Sequence, residues 1–361
     1  MLRAPLCHPL ILGHFLPWFT QEDSARFPLP PPRVRGLVLP EIEPWRHWRD
    51  RRSQYLRTHL HQPIWGEYDS RDPSLLRRQI ATALDHGLDG FIVNLYGKNS
   101  VENILGLAFL DAVQAWNHDH PDRPCVYALS LDAQAQWPTE GKTPVSLGED
   151  FAYLRGTWVG DACLRCDGRV PIFVFVYDRP CSEYLEAAHA VFGTEGVDLV
   201  WSSPRRFGQT SVYPWIQPDQ HETDGKWLAI DSAGDGFLRR FYAEANENPD
   251  LRYVVGGVWP GFDDQLVSWA WNPNPSDPGI RPRVMCRETT RGNTLDLTWR
   301  VAADYLGRHR QGDPAARLPM PMIQVVTWND WAEATEVEPS ADFGFRALET
   351  CLHYARQLKQ P

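Results

Sequence analysis

The sequence predicts an α/β fold, a single (β/α)8 TIM barrel with long loop insertions at its C-terminal face. Short apolar runs of strand-like composition alternate with helical patterns along the whole chain, which favours a parallel sheet covered by helices. The chain has 361 residues, of which 43% are hydrophobic and 23% are charged, as suits one large domain with an extensive core. We therefore assign residues 1–361 to one domain.

The predicted strands are runs of apolar and β-branched residues bounded by turn residues. They lie near residues 9–15, 90–96, 125–131, 170–177, 197–202, 226–230, 252–258 and 322–328. Eight strands with helices between them are what a (β/α)8 barrel requires.

Three of the predicted helices carry clear boundary signals. The first has Asp72 as its N-cap and Pro73 as its first residue, and Gly87 follows its end. The second begins after Ser100, and the closing helix covers residues 343–358. Each has apolar residues at helical spacing: Leu76, Ile80 and Ala83; Ile104, Ala108, Ala112 and Ala115; Leu348, Cys351, Leu352 and Ala355.

Two long segments do not fit the plain repeat of strand and helix. Residues 20–70 follow the first strand, and residues 259–290 follow the seventh. Both are rich in Pro and Trp, and both leave from the strand ends where barrel enzymes have their active sites. Long loops of this kind are usually functional.

The net charge of −10 argues against nucleic acid as a partner, because it offers no basic surface for a phosphate backbone. No apolar run reaches the 18 to 20 or so residues of a membrane span, so no membrane association is predicted. The N-terminus lacks the pattern of a signal peptide, which predicts a cytoplasmic location; a secreted origin with the signal removed stays open. The oligomeric state is not predicted.

The seven cysteines are thinly spread and odd in number, which is typical of a reduced compartment. Cys163 and Cys166 form one CxxC pair, and no second pair stands at the spacing of a zinc site. No metal or cofactor is predicted.

Polar residues of one parity on the predicted strands should point into the barrel mouth. By this reasoning the inward side chains are His14, Asn94, Tyr96, Ser130, Asp132, Asp178, Ser202, Gln324 and Trp328. Each has a structural alternative: His14 can be a core histidine, Asp132 and Asp178 can cap helices, and Asn94 and Gln324 can satisfy barrel backbone. Their convergence on one mouth favours function.

The stretch "VVTWNDWAEATEVEPS", residues 325–340, begins where the eighth strand ends. Asp330 and Glu333 stand three residues apart, so one turn would bring their carboxyl groups together, with Glu336 on the same side. Like charges at short range, beside Trp328 and Trp331, should separate the two pKa values, and such a pair can supply an acid and a base. The alternative is a solvated acidic loop.

The motif "WNDWAEATEVEP" resembles the end of the last strand in the barrels of glycoside hydrolase families 71 and 99. Three more segments are similar in the same order: "LGHFLPWF", "GEYDSRDPSLLRRQIATALDHGLDGFIVNLYG" and "GNTLDLTWRVA". This sequence departs from the family pattern at two positions. Ala334 replaces the Gly that follows the second acid, and Asn94 stands where many relatives have Asp.

This resemblance implies a (β/α)8 enzyme that cleaves α-linked glycans, α-1,3-glucan in family 71 or α-mannosides in family 99. It implies that Asp330 is the first catalytic carboxylate and Glu333 the general acid. In family 99 the first carboxylate acts on the sugar's own 2-hydroxyl with net retention, and in family 71 the outcome is inversion.

We therefore predict a metal-independent glycoside hydrolase with Asp330 and Glu333 as catalytic residues and an oligosaccharide or polysaccharide as substrate. The residues predicted to bind substrate are His14, Trp18, Asn94, Tyr96, Asp178, Trp259, Trp328 and Glu336. Glu336 and Glu338 have the further alternatives of capping the next helix or holding the loop. Two rival functions are a carbohydrate-binding barrel that has lost activity and a metal-dependent hydrolase.

Overall fold

A computed structural model of the chain describes residues 8–20, 33–34, 37–38, 48–50, 56–98, 100–132, 147–175, 180–202, 209–219, 231–267 and 283–359. The main sheet of this part of the chain is parallel throughout. Its strands, numbered in chain order, are β1 (Leu10–Phe15), β2 (Gly90–Leu95), β3 (Val126–Leu131), β4 (Val170–Val174), β5 (Val197–Trp201), β6 (Ser211–Val212), β7 (Tyr253–Val254 and Gly256–Val258) and β8 (Met322–Val325).

The sheet closes through β7, which consists of two segments on either side of Val255. Its first segment, Tyr253–Val254, pairs with β6, and its second segment, Gly256–Val258, pairs with β8. Since β8 pairs with β1 and the remaining neighbours pair in chain order, both edges of the sheet belong to the same strand. The described strands therefore form an eight-stranded barrel, and the predicted fold is confirmed.

Helices surround this barrel. In the described residues they are α1 (Pro73–Asp85), α2 (Val101–Asp119), α3 (Leu147–Thr157), α4 (Cys181–Phe192), α5 (Asp235–Glu247), α6 (Thr294–Arg310) and α7 (Arg346–Leu358). The predicted start of α1 is confirmed, because the Asp72 side chain accepts hydrogen bonds from the backbone N–H groups of Ser74 and Leu75. Ser100 caps α2 in the same way, through the N–H of Asn103. No helix of the described part is long and apolar enough to cross a membrane.

The barrel separates two apolar regions. Side chains of one parity, such as Leu12, Ile92 and Met322, fill the interior, whereas Phe91 and Val93 pack between the sheet and the helices. This alternation confirms the predicted inward direction of His14, Asn94, Ser130 and Gln324, which share the parity of the interior residues on their strands.

The structure corrects the predicted sixth strand and one helix start. The predicted strand 226–230 lies outside the described residues, and the sixth strand of the barrel is Ser211–Val212. Pro214 follows this two-residue strand, and a proline in an apolar run argues against a central strand, which is why the sequence did not indicate it. The closing helix begins at Arg346 rather than at 343, because Gly344 pairs back with Ser340 in a turn.

Both long excursions contain short antiparallel ladders in their described parts. Arg33–Val34 pairs with Leu37–Val38, and Arg49–Asp50 pairs with Leu56–Arg57. After β7, Phe262–Asp263 pairs with Val284–Met285. This last ladder lies next to the loop that follows β8, since the N–H of Asp263 donates to the carbonyl of Glu333.

Candidate active site

The loop after β8 is tied to the end of β1. The backbone N–H of Trp328 donates to the carbonyl of His14 at 2.7 Å. The side-chain amide of Asn329 exchanges two hydrogen bonds with the backbone of Leu16, at 2.8 and 3.0 Å. The loop therefore starts at the carboxyl ends of two adjacent strands, which is where barrel enzymes place their chemistry.

Residues 327–335 then form a closed turn. The N–H of Asp330 donates to Thr327 Oγ1 at 2.7 Å, and the N–H of Thr335 donates to the carbonyl of Asp330 at 3.2 Å. The N–H of Thr327 donates to the carbonyl of Thr335 at 2.8 Å, so the two ends of the turn meet. These bonds fix the backbone that carries Asp330 and Glu333.

Ala334 stands in this turn with a φ of +51°, in the left-handed region that favours glycine. The family resemblance has glycine at this position, and the structure shows that alanine keeps the backbone conformation that a glycine would adopt without strain. The positive φ that glycine favours is therefore kept at this position.

We expect Ala334→Gly to keep or raise the stability of the fold. A non-glycine residue in this region costs about 1–2 kcal/mol, while glycine adds about 0.5–1 kcal/mol of chain entropy to the unfolded state, so the net gain should lie between about 0 and about 1.5 kcal/mol. Ala332→Gly is the matched control, since Ala332 is equally buried and its φ is not positive. Thermal unfolding should rank the variants with Ala334→Gly at or above the wild type and Ala332→Gly below it; the reverse order would contradict this reading.

Asp330 and Glu333 form an interacting pair. Asp330 Oδ1 accepts a hydrogen bond from the N–H of Glu333 at 3.0 Å. Asp330 is only 3% exposed, whereas Glu333 is half-buried. Burial raises the pKa of Asp330 well above its ordinary value, and the charges of Glu333 and Glu336 raise it further. Asp330 therefore keeps its proton to higher pH than an exposed carboxyl group would.

Glu338 holds the far end of the loop. Its Oε2 accepts from the Tyr68 hydroxyl at 2.7 Å and from the Trp331 indole N–H at 3.0 Å, and its Oε1 accepts from Gln79 at 2.5 Å. Burial raises the pKa of Glu338 to about 7 despite these donors. Of the alternatives considered for Glu338, the structure supports holding the loop.

Glu336 is buried in an ion-pair cluster. Its Oε1 lies 2.5 Å from the Arg287 guanidinium and 2.8 Å from His61 Nδ1. Its side chain is only 1% exposed. These contacts favour the loop-holding alternative for Glu336 over direct binding of substrate.

The interior of the barrel below the carboxyl pair carries His14 and Asn94. His14 Nε2 lies 3.3 Å from Asn94 Oδ1, and its ring packs edge-on against Trp215. Burial lowers the pKa of His14 to about 4, so the imidazole is neutral near pH 7. The structure thus brings these two predicted residues together, and a neutral imidazole offers hydrogen bonds without charge.

Aromatic rings line the same end of the barrel. Trp18 and Tyr96 stack with ring centroids 6.0 Å apart, and both belong to an apolar cluster that includes Trp331. Burial raises the pKa of the Tyr96 phenol well above its ordinary value, and the charges of Asp132, Glu102 and Asp330 act in the same direction. Tyr96 therefore stays protonated beside the carboxyl groups.

Two of the residues predicted to bind substrate lie in the packed layer between the sheet and the helices. Trp328 is fully buried against Phe91 in the layer between sheet and helices, because β8 ends at Val325 and its alternation does not extend to Trp328. Trp259 is also fully buried, and its indole N–H donates to the carbonyl of Ala233 at 2.9 Å. The structure therefore does not bring either indole to the carboxyl pair. Asp178 lies outside the described residues.

Sequence reasoning missed the residues that support the loop. Tyr68 and Gln79 lie within the "GEYDSRDPSLLRRQ" segment that carries part of the family resemblance, and this was the available signal. His61 and Arg287 have no local signal, because His61 stands 275 positions from Glu336 in the sequence and Arg287 stands 49 positions from it.

The described residues contain no group of three or more His, Cys, Asp and Glu side chains that could hold a metal ion. Cys163 and Cys166 are both buried free thiols. Burial raises the pKa of each to about 12, so both are protonated near neutral pH.

Fold and site together define a class of protein: a closed parallel barrel with a pair of interacting carboxyl groups at the carboxyl ends of its strands. Among solved structures, the chain is similar to the glycoside hydrolase family 99 endo-α-mannosidase from Bacteroides thetaiotaomicron, with a TM-score of 0.60, 15% sequence identity and 97% of each chain covered. A complex of such an enzyme from that organism with bis-tris-propane gives a TM-score of 0.59 at the same identity and coverage.

A glycoside hydrolase-like protein is also similar, with a TM-score of 0.55 and 13% identity over 90% of this chain and 94% of its own. At these identities the likeness shows the fold, and it confirms the barrel that the sequence resemblance implies. No protein-family model matches the chain, and no curated protein matches it in sequence.

Proposed function

We propose that this protein is a glycoside hydrolase that cleaves α-linked glycans, with α-mannans favoured over α-glucans, by a metal-independent mechanism with two carboxyl groups. The observation that carries the proposal is the Asp330–Glu333 pair, held by a closed turn at the carboxyl end of β8. The fold likeness to an endo-α-mannosidase supports the substrate class. The motif "WNDWAEATEVEP" supports the choice of residues.

Hydrolysis of a glycosidic bond by this route needs one acid and one base. Glu333 gives its proton to the glycosidic oxygen, and Asp330 accepts a proton from water or from a sugar hydroxyl. The pair must therefore hold one proton at the start of the reaction. Burial of Asp330 and the negative charge beside it retain that proton.

Substrate binding is proposed to move the shared proton to Glu333. In the free protein, Asp330 is the more buried carboxyl, and burial favours its neutral form. Glu333 is half-buried, so a bound sugar would cover it and disfavour its charge. A sugar hydroxyl that donates to Asp330 would stabilise the Asp330 carboxylate. The covering of Glu333 and the new hydrogen bond to Asp330 both favour the proton on Glu333, which is the residue that donates it to the leaving group.

Trp18, Asn94, Tyr96 and His14 are proposed to contact the sugar units. Trp18 and Tyr96 offer aromatic surface next to the carboxyl pair, and aromatic surface suits the apolar faces of sugars. His14 and Asn94 offer neutral polar groups that suit sugar hydroxyls.

To test this function, the wild-type protein is incubated with α-mannans, α-glucans and linkage-defined oligosaccharides. The formation of new reducing ends is then measured. We expect release from an α-linked glycan, with proton NMR showing which anomer appears first. The control is the Asp330→Asn/Glu333→Gln double variant, which should release none. Calorimetric binding of an oligosaccharide without any product after long incubation would instead support the carbohydrate-binding barrel.

A further inference from the structure

The excursion after β7 contacts three consecutive residues of the loop that carries the carboxyl pair. The N–H of Asp263 donates to the carbonyl of Glu333 at 2.7 Å. Val267 packs against Ala332, and both side chains are buried. The Arg287 guanidinium donates to the carbonyl of Ala334 at 2.9 Å. Glu333 and both of its neighbours are therefore held by one segment.

Arg287 makes the most extensive of these contacts. Besides the Ala334 carbonyl, its guanidinium donates to the Glu336 carbonyl at 3.1 Å and to Glu336 Oε1 at 2.5 Å. The guanidinium also lies over the ring of Phe343, 4.7 Å from its centroid. Only 15% of the Arg287 side chain is exposed. One nitrogen of the guanidinium, Nη2, makes all three of these bonds, so it joins the backbone carbonyls on both sides of residue 335.

The excursion has a rigid frame of its own at this point. Phe262–Asp263 pairs with Val284–Met285, and Arg283 makes two side-chain hydrogen bonds to Asp264 across the ladder. Gly261, with a φ of +152°, lets the two arms approach: a Cβ there would lie 2.9 Å from Arg287 Cγ. Arg287 therefore packs closely against Gly261 of the excursion and also donates to the loop that carries Glu333.

We propose that the excursion after β7 positions Glu333 for proton donation, with Arg287 as the positioning residue that fixes the backbone C-terminal to it. The inference rests on the proposed function. Arg287 does not touch the reacting atoms in this account; it acts through Ala334 and Glu336. Without it, the Ala334 and Glu336 carbonyls lose their shared donor, and the excursion keeps only its contacts from Asp263 and Val267 among the three described above.

The test compares two substrates that share one α-linked glycone. One has a sugar as its leaving group, which needs protonation, and the other has 2,4-dinitrophenolate, which leaves without it. Misplacement of a catalytic group by an ångström or so costs on the order of 10²-fold in rate. For Arg287→Met we expect kcat/KM to fall about 10- to 100-fold on the first substrate and by less than about 3-fold on the second. Arg287→Lys, which keeps the charge but places it on a shorter side chain without the guanidinium group, should lie between.

Because Arg287→Met leaves Glu336 buried without its cation, Arg287→Met/Glu336→Gln is measured as well and should show the same selective loss in a folded protein. Arg291→Met is the matched control: Arg291 lies on the same side of the barrel and pairs with Asp235, and no contact with residues 330–338 is present among the described residues. It should leave both rates unchanged.

The possible outcomes separate the two claims. Equal losses on both substrates, or no loss on either, would overturn the positioning role of Arg287. If the wild type hydrolysed neither substrate, or if Glu333→Gln showed no preference for the activated one, the proposed function itself would fail. A selective loss in both Arg287→Met and the double variant supports the inference.

Discussion

Glu333→Gln is expected to lower kcat/KM on an α-linked oligosaccharide by about 10²- to 10⁴-fold, because an amide cannot donate the proton that the leaving sugar requires. With a 2,4-dinitrophenyl leaving group, the same variant should keep most of its activity. Calorimetric affinity for the oligosaccharide should change little. Glu349→Gln, an exposed position on α7, is the control and should behave as the wild type.

Asp330→Asn gives the contrasting result that makes the assignment specific. A base is needed whatever the leaving group is, so this variant should lose activity on both substrates to a similar extent. If Asp330→Asn were the variant rescued by the activated leaving group, the roles of the two carboxyl groups would be reversed. Full activity of both variants would remove the pair from the mechanism.

Glu338→Gln is expected to abolish a large pH dependence of stability. Burial raises the pKa of Glu338 from 4.5 to about 7. Because the folded-state pKa is raised, the protonated group stabilises the fold fully below about pH 4.5, and this contribution is lost as the pH rises through about 7. A shift of this size corresponds to about 3 kcal/mol, since one pKa unit is worth about 1.4 kcal/mol.

The glutamine side chain resembles the protonated acid and keeps an oxygen for Tyr68 and Trp331, while a rotated Gln79 amide can present its oxygen to the new NH₂ group. The difference in unfolding free energy between the variant and the wild type should therefore be small at pH 4.5 and should favour the variant at pH 8. Other groups titrate equally in both proteins and cancel in this difference. Parallel pH curves for the two proteins would show that Glu338 is not protonated on folding.

Much of the fold was predictable because its signals are local. Asp72 and Pro73 mark the start of α1, and the alternation along "GFIVNL" separates Phe91 from Ile92 and Asn94. The sixth strand was not predictable in this way. It is only two residues long, and its pairing depends on neighbours that lie about 10 and 40 positions away.

The site residues also fall into those with a local sequence signal and those that depend on long-range contacts. The carboxyl pair was predictable, because its spacing and its place after β8 are properties of one short segment. Trp328 was assigned to the mouth by strand alternation and Trp259 by residue type, but the first packs against Phe91 and the second donates to the Ala233 carbonyl. Arg287 and His61 reach Glu336 only through the closed fold, so no window of sequence shows them.

The most direct test of the carboxyl pair as the catalytic centre is the pH dependence of kcat/KM for the wild type on a soluble α-linked oligosaccharide. We predict a bell-shaped profile, because activity needs one proton on the pair and is lost when the second is added or the first is removed. Its upper limb should lie well above the ordinary pKa of a carboxyl group, since burial of Asp330 and the charge of Glu333 retain the proton. An upper limb near pH 4 to 5, or an identical profile in the Asp330→Asn/Glu333→Gln variant, would contradict the account.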